Sequence, residues 1–262
     1  MSSVVAHRRV AADEERCKCC GEPARLFGVT DFSKSCVDHQ RNPLPLTGIP
    51  VYYHRCVSCG FIFTVHFDEF SPADFAREIY NDDYVKVDPD YLDARPKHLA
   101  GVIVKLFGKF RNTISILDYG AGSGGMAKFL NAEGFAVQNY DPYSANDSRL
   151  PSEKFHLVTS FEVLEHTPDP PQTSDVMQRL VKDDGMILFS TVLQPPTIET
   201  KKLGWWYIGP RNGHVSIYTK RSLELLWSKH GYNFGSFNDN LHVAFRQIPE
   251  FAKHIIKTVT QP

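Results

Sequence analysis

Residues 116–125 read ILDYGAGSGG and place four glycines in six positions directly after an apolar run. Glycine takes positive φ without steric cost and lets another molecule approach the backbone closely. A strand that enters such a turn and leaves it as a helix is the nucleotide-binding arrangement of doubly wound sheets, whose ligands sit beyond the carboxyl ends of the strands. The helix follows in GGMAKFLNAEG, with Met126, Phe129 and Leu130 on one face and Gly134 as its stop. Gly120, Gly122 and Gly124 are alternate residues, while Gly120, Gly122 and Gly125 also satisfy G-x-G-x-x-G. The glycines alone do not choose between dinucleotides and other nucleoside ligands.

Alternation of strand and helix continues from residue 112. FAVQNYD, FHLVTSF and GMILFSTVL read as strands, and QTSDVMQRLVKDDG as an amphipathic helix with Val176, Met177, Leu180 and Val181 inward. TKRSLELLWSKHG is a further helix. YNFGSFND and LHVAFRQ follow with only a tight polar turn between them, which requires an antiparallel pair at one edge. Alternation elsewhere implies a parallel sheet with helices on both faces. The strand FAVQNYD ends at Asp141, where a carboxylate can accept hydrogen bonds from two ribose hydroxyls.

The six cysteines all lie before residue 60. Cys17-x₂-Cys20-Gly21 and Cys56-x₂-Cys59-Gly60 are paired knuckles, and four thiolates make the closed tetrahedral site of structural zinc. Cys19 can replace a knuckle partner, and Cys36 is spare. A disulfide framework belongs to secreted chains, and MSSVVAHRRVAADEER has neither the apolar core nor the cleavage site of a secretory signal. The expected location is the cytoplasm, with no membrane association. VYYHRC and GFIFTVHF read as two short strands around the second knuckle, and Ser71-Pro72 as the start of a helix.

LDYGAGSGG, YDPY, FHLVTSFEVLEHTPDP and GMILFSTV together resemble the successive motifs of class I S-adenosylmethionine (SAM)-dependent methyltransferases, from about residue 112 to 247. The resemblance implies a methyltransferase and places Asp118, Gly120, Ala121, Gly122, Gly124, Asp141, Pro142, Ser160, Phe161 and Glu162 around the cofactor. One departure stands out. PYSANDSRLPSEK is too short for the helix and third strand that the family fits between Asp141 and Phe155, so a strand is expected to be lost and the adenine contact is unassigned.

His166 and His214 are the candidate general bases, for acceptors that must lose a proton. Glu162, Glu165 and His166 have the E-x-x-E-H spacing by which some similar O-methyltransferases hold a divalent cation such as Mg²⁺, with His214 as a further ligand. The competing reading leaves Glu162 beside the cofactor, Glu165 as a surface cap or pair, and His166 as a base or packing residue, with no metal. In the long segment 194–219, Trp205, Trp206 and Tyr207 either line an acceptor pocket or pack on the sheet edge, and Arg211 either receives an anion or is a solvated loop charge.

The fold class expected is α/β, a Rossmann-like doubly wound sheet with an antiparallel edge hairpin plus a small N-terminal zinc-binding module. The divisions are a flexible tail (1–16), the zinc-binding module (17–66), a helical connector (67–110), the methyltransferase domain (111–250) and a C-terminal tail or helix (251–262). With a zinc module ahead of it, the arrangement resembles bacterial methyltransferases of sugars and related small molecules. That resemblance implies a small-molecule acceptor such as a nucleotide-linked sugar or secondary metabolite. An RNA methyltransferase, a non-catalytic SAM-binding scaffold and a nicotinamide enzyme remain as alternatives. A formal net charge of −1 gives no global pull toward nucleic acid.

Overall fold

The computed structural model describes residues 15–38, 43–143 and 147–256. Most of the tail assigned to residues 1–16, and the end of the C-terminal segment, lie outside the described residues. Strands β1 (Glu15–Arg16), β2 (Pro23–Asp31), β3 (Pro50–Cys56) and β4 (Ile62–Thr64) open the chain. Helices α1 (Pro72–Glu78), α2 (Tyr84–Val87) and α3 (Ala94–Phe107) lead to β5 (Ser115–Tyr119), α4 (Gly125–Ala132), β6 (Ala136–Tyr140) and β7 (Phe155–Phe161). Then come α5 (Pro170–Leu180), β8 (Val181–Ser190), α6 (Ile198–Lys201), β9 (Ser216–Ile217), α7 (Lys220–Ser228), β10 (Asn233–Ser236), β11 (Leu241–Phe245) and α8 (Lys253–Ile256).

Two sheets result. The larger has the order β10-β11-β8-β7-β5-β6. Strands β6, β5, β7 and β8 are parallel, and β11 and β10 add antiparallel at the far edge. This is the doubly wound sheet with an edge hairpin. The strand expected to be lost is absent: β6 is the edge, and the described residues between Asp141 and Phe155 form neither helix nor strand. One face of the sheet packs Met126, Leu130, Ile103 and Phe107 of α3 and α4. The other packs Met177 and Leu180 of α5 with Leu223, Leu226 and Trp227 of α7.

Local chemistry sets the helix starts. Ser71 and Asp74 form a reciprocal capping box ahead of Pro72, and Thr219 and Ser222 do the same for α7. Asp169 caps α5 with Pro170 at its first position. Val181, read as the last inward residue of that helix, instead begins β8; its φ and ψ are already extended.

The smaller sheet, β1-β2-β3-β4-β9, is antiparallel throughout. It differs from a self-contained knuckle in two ways. Nine-residue β2 runs alongside β3, where the sequence reading placed only two strands. The fifth strand, β9, comes from the segment after β8, so Ile62 pairs with Ile217 and Phe63 with Ser216. The knuckles also rest on α7: Lys229 Nζ donates to the Cys19 carbonyl and Thr219 Oγ1 to the Cys59 carbonyl at 2.7 Å.

Candidate active site

The glycine turn closes over the end of β6. The amides of Gly120 and Ala121 both donate to the Tyr140 carbonyl, at 2.7 and 3.3 Å. Gly120, Gly122 and Gly124 have φ of 79°, 54° and 74°. A Cβ on Gly120 would come within 2.3 Å of Val163 Cγ2, and one on Gly122 within 2.9 Å of the Tyr91 hydroxyl. Both glycines are therefore required by close approach as well as by φ.

This turn forms one wall of a cavity of about 740 Å³. Asp118, Gly120, Ala121, Gly122, Asp141, Pro142, Phe161, Glu162 and His166, all singled out in the sequence, line it. Gly124 and Ser160 do not. Gly124 faces away as the left-handed cap of α4, with Asn139 Nδ2 2.7 Å from where its Cβ would be. Ser160 is fully buried on β7, with no partner on Oγ. Asp141 Oδ2 accepts from Gly122 N and Oδ1 from Tyr143 N, both at 2.8 Å, so the carboxylate is fixed across the mouth of the glycine turn. Burial, and then the Asp141 charge, push the Asp118 carboxyl up to about 7, against a lowering hydrogen bond from Thr159 Oγ1.

Glu162 holds a left-handed backbone, φ 54°, which costs a non-glycine residue about 1 kcal/mol or more. Ser190 fixes it: Glu162 N donates to Ser190 Oγ and that hydroxyl donates to Glu162 Oε1, both at 2.9 Å. This reversal aims the Glu162 side chain into the cavity, away from the next turn of chain. The E-x-x-E-H run is therefore not one helical face. Only its last three residues, Leu164–His166, form a short 3₁₀ turn.

The donor cluster that assembles is Glu165, His166 and His214, with ligand atoms all within 4.8 Å of one another; Glu162 stands outside it. Of the three, only His166 lines the cavity. Glu165 is fully buried behind it, its Oε1 accepting from the Tyr207 hydroxyl, and burial and then Glu162 raise its pKa to about 8. It is thus neither a surface cap nor a surface pair. His214 packs edge-on against His166, ring centroids 4.8 Å apart, and its Nδ1 meets the Tyr207 carbonyl at 2.7 Å. Burial and then Arg95 lower the His166 pKa to about 4, so its imidazole is neutral at pH 7. Glu165 Oε2 and His166 Nδ1 are buried without a partner.

The opposite wall was not read from the sequence. It is built by the connector: Phe75 of α1, Tyr84 of α2, with Phe70, Tyr80 and Tyr91 between and beside them, joined by Tyr143 after β6. Arg95 on α3 also lines the cavity, its two terminal nitrogens on the two oxygens of Asp88 at 2.6 and 2.7 Å. The tyrosines at 80, 84 and 91 are the signal that could have marked this wall. Trp205 and Tyr207 pack in the core beneath the smaller sheet and Trp206 is half-exposed; none of the three lines the cavity. Arg211 is buried and donates to the Ile79 carbonyl and Asn81 Oδ1, so it is no solvated loop charge but a tie to the end of α1.

Outside the cavity lining, Cys17, Cys20, Cys56 and Cys59 converge. Their sulfurs are 3.6 Å (Cys17–Cys59), 3.5 Å (Cys20–Cys56) and 3.5 Å (Cys20–Cys59) apart. A tetrahedron with metal–sulfur bonds of about 2.3 Å has edges of about 3.8 Å. The cluster therefore fits a four-thiolate zinc with slight expansion. Cys19 is buried outside it, and Cys36 lies 3.5 Å from His214 Nδ1.

A family model described as a methyltransferase domain matches residues 91–235, more than half of the chain. A ubiquinone biosynthesis O-methyltransferase of Colwellia psychrerythraea is 31% identical over 93 residues, 35% of this chain and 38% of that protein. One from Pseudomonas syringae pv. tomato is 33% identical over 86 residues, 32% and 37% of the two chains. The chain thus spans less than two fifths of the length of these relatives. The structure of an O-methyltransferase family protein from Burkholderia thailandensis has the same fold, with a TM-score of 0.52 at 14% identity over 69% of this chain and 64% of that one. Among the described residues, no helix is long and apolar enough to cross a membrane.

Proposed function

The chain belongs to the methyltransferase-domain family, and on that footing we propose that its cavity holds SAM on the glycine turn and presents a small-molecule acceptor to it beside His166. A nucleotide-linked sugar or a secondary metabolite is the acceptor read from the sequence. SAM supplies a methyl group already activated by its sulfonium. What the chain must add is position and, for a hydroxyl or carbon acid, a proton acceptor. Gly120, Ala121 and Gly122 leave room for the cofactor against the backbone. Asp141 faces its ribose, and Asp118 and Glu162 supply carboxylates for its cationic end. His166 takes the acceptor's proton.

The observation that carries this reading is that the His166 side chain lines the same cavity as the glycine turn, between that turn and the aromatic wall. The test is His166→Gln, read as SAH formation against SAH affinity. A general base contributes about 10²–10⁴-fold, so turnover should fall at least a hundredfold while SAH affinity stays within twofold. Unchanged turnover removes His166 from the proton transfer.

The Glu165–His166–His214 cluster favours a second reading, in which a cation activates the acceptor there. Two imidazoles and one carboxylate suit a transition ion better than Mg²⁺, which prefers oxygen ligands and keeps its waters. Treatment with a chelator should then abolish turnover while the cysteine cluster keeps its metal. Full turnover under those conditions leaves His166 acting alone.

The cysteine cluster would hold zinc as a structural ion, stabilising the smaller sheet where it meets α7.

A further inference from the structure

We propose that the acceptor is a ring compound, neutral or cationic, seated on the aromatic wall that faces the glycine turn, and that any phosphate or carboxylate it carries lies outside the cavity. This rests on the methyltransferase reading above and names the chemistry of its second substrate.

The wall is continuous. Phe75 and Tyr143 have ring centroids 5.3 Å apart, Tyr80 and Tyr143 6.2 Å, Tyr80 and Tyr84 5.2 Å, and Tyr84 and Tyr91 5.3 Å. Tyr80 also reaches His166, at 6.1 Å. A ring stacked on this surface therefore lies against the proposed base on one side and the cofactor's end of the cavity on the other. Aromatic faces accept flat rings, the C–H faces of sugars and cations, since their quadrupole is negative over the ring.

Charge decides among these. Asp68, Asp88, Asp118, Asp141, Glu162 and Asp169 line the cavity, and among its described lining residues Arg95 is the sole cation. Both terminal nitrogens of that guanidinium are already committed to Asp88. Anion sites in proteins are built from free guanidinium forks, ammonium groups or helix N-termini. Of the helix N-termini at the cavity, those of α1 and α5 are occupied by their own carboxylates, Ser71 N donating to Asp74 Oδ2 at 2.9 Å and Gln172 N to Asp169 Oδ1 at 3.0 Å, and that of α4 follows the glycine turn assigned to the cofactor. A phosphate beside the methylated atom would meet six carboxylates, with neutral hydroxyl and amide donors but no free cation among the described lining residues to offset its charge. A nucleotide-linked sugar thus fits only with its sugar in the cavity and its diphosphate beyond the rim. An RNA acceptor, which needs a cationic track for its backbone, has none along this lining.

Three phenols of similar size separate the outcomes: 4-ethylphenol (neutral), tyramine (cationic) and 3-(4-hydroxyphenyl)propanoate (anionic). Binding to the full chain, free and saturated with SAH, is followed by ligand-observed NMR. The expected result is that the neutral and cationic phenols bind at least tenfold tighter than the anion, and that Tyr80→Leu weakens both without changing SAH affinity. An anion bound as tightly as the others, or no binding of any phenol, overturns the proposal. Should the ranking hold while SAH fails to bind, the acceptor class stands and the methyltransferase reading falls.

Discussion

The hydroxyl of Tyr53, in the middle of β3, donates a 2.7 Å hydrogen bond to the carbonyl of His214, 161 residues further along the chain. His214 in turn packs on His166. The sheet that carries the cysteine knuckles is therefore part of the scaffold behind the candidate base. Cys36 N reinforces it with a 2.8 Å bond to Asn212 Oδ1, and Val215 N donates to the Glu165 carbonyl at 2.8 Å. Tyr53→Phe would leave that buried carbonyl without its donor, at a cost of about 1–3 kcal/mol. The expected outcome is a lower thermal midpoint and a turnover loss larger than any loss of SAH affinity. Equal turnover in the variant would separate the knuckle sheet from the acceptor side of the site.

The cysteine cluster predicts about one zinc per chain by elemental analysis. Cys56→Ser with Cys59→Ser should release it and lower the thermal midpoint, because metal binding contributes to folding. The knuckles touch α7 through Thr219 and Lys229, so the loss should reach beyond the smaller sheet. A double variant that keeps its full zinc content would mean the ion sits elsewhere.

Asp118 gives a pH dependence. Its carboxyl has a folded pKa raised to about 7 from 3.8, chiefly by burial. The folded protein therefore holds a proton that the unfolded chain has released. Its contribution to stability is present below about pH 4 and is lost as pH rises through about 7, by up to about 4 kcal/mol. A cation in the cavity favours the ionised form, so SAM affinity should rise between pH 6 and 8. Urea unfolding and calorimetry of the wild type and Asp118→Asn check both signs. A variant with the same pH slopes as the wild type would clear Asp118 of either effect.

What could be read in the sequence was local. The glycine turn, the capping residue Ser71, Asp141 at the strand end and both knuckles are each fixed by neighbours within a few positions, and the structure places them accordingly. The lost third strand was legible too, because chain length between Asp141 and Phe155 is a hard limit. What escaped depends on tertiary approach. Nothing near Ser216–Ile217 announces that it pairs with β4, 150 or more residues earlier. Strand β2 has a bulge between Leu26 and Gly28, and of its residues only Ala24 is fully buried while the neighbours Arg25 and Leu26 are both exposed, which hides its alternation. The aromatic wall comes from short helices and the turns beside them, whose tyrosines look like ordinary packing until they are seen to share a cavity with the glycine turn. Spacing also overreached at Glu162, where one left-handed residue removes the carboxylate from the helical face that i, i+3 counting assumes.

The most direct measurement is a calorimetric titration of SAH into the purified protein and into Asp141→Ala. The carboxylate lines the cavity and fixes the amides of Gly122 and Tyr143, and a hydrogen bond to an ionised partner contributes about 1.5–3 kcal/mol. The account predicts a single SAH site in the wild type and binding weakened at least tenfold in the folded variant. No SAH binding by the wild type, or equal binding by both, would contradict it.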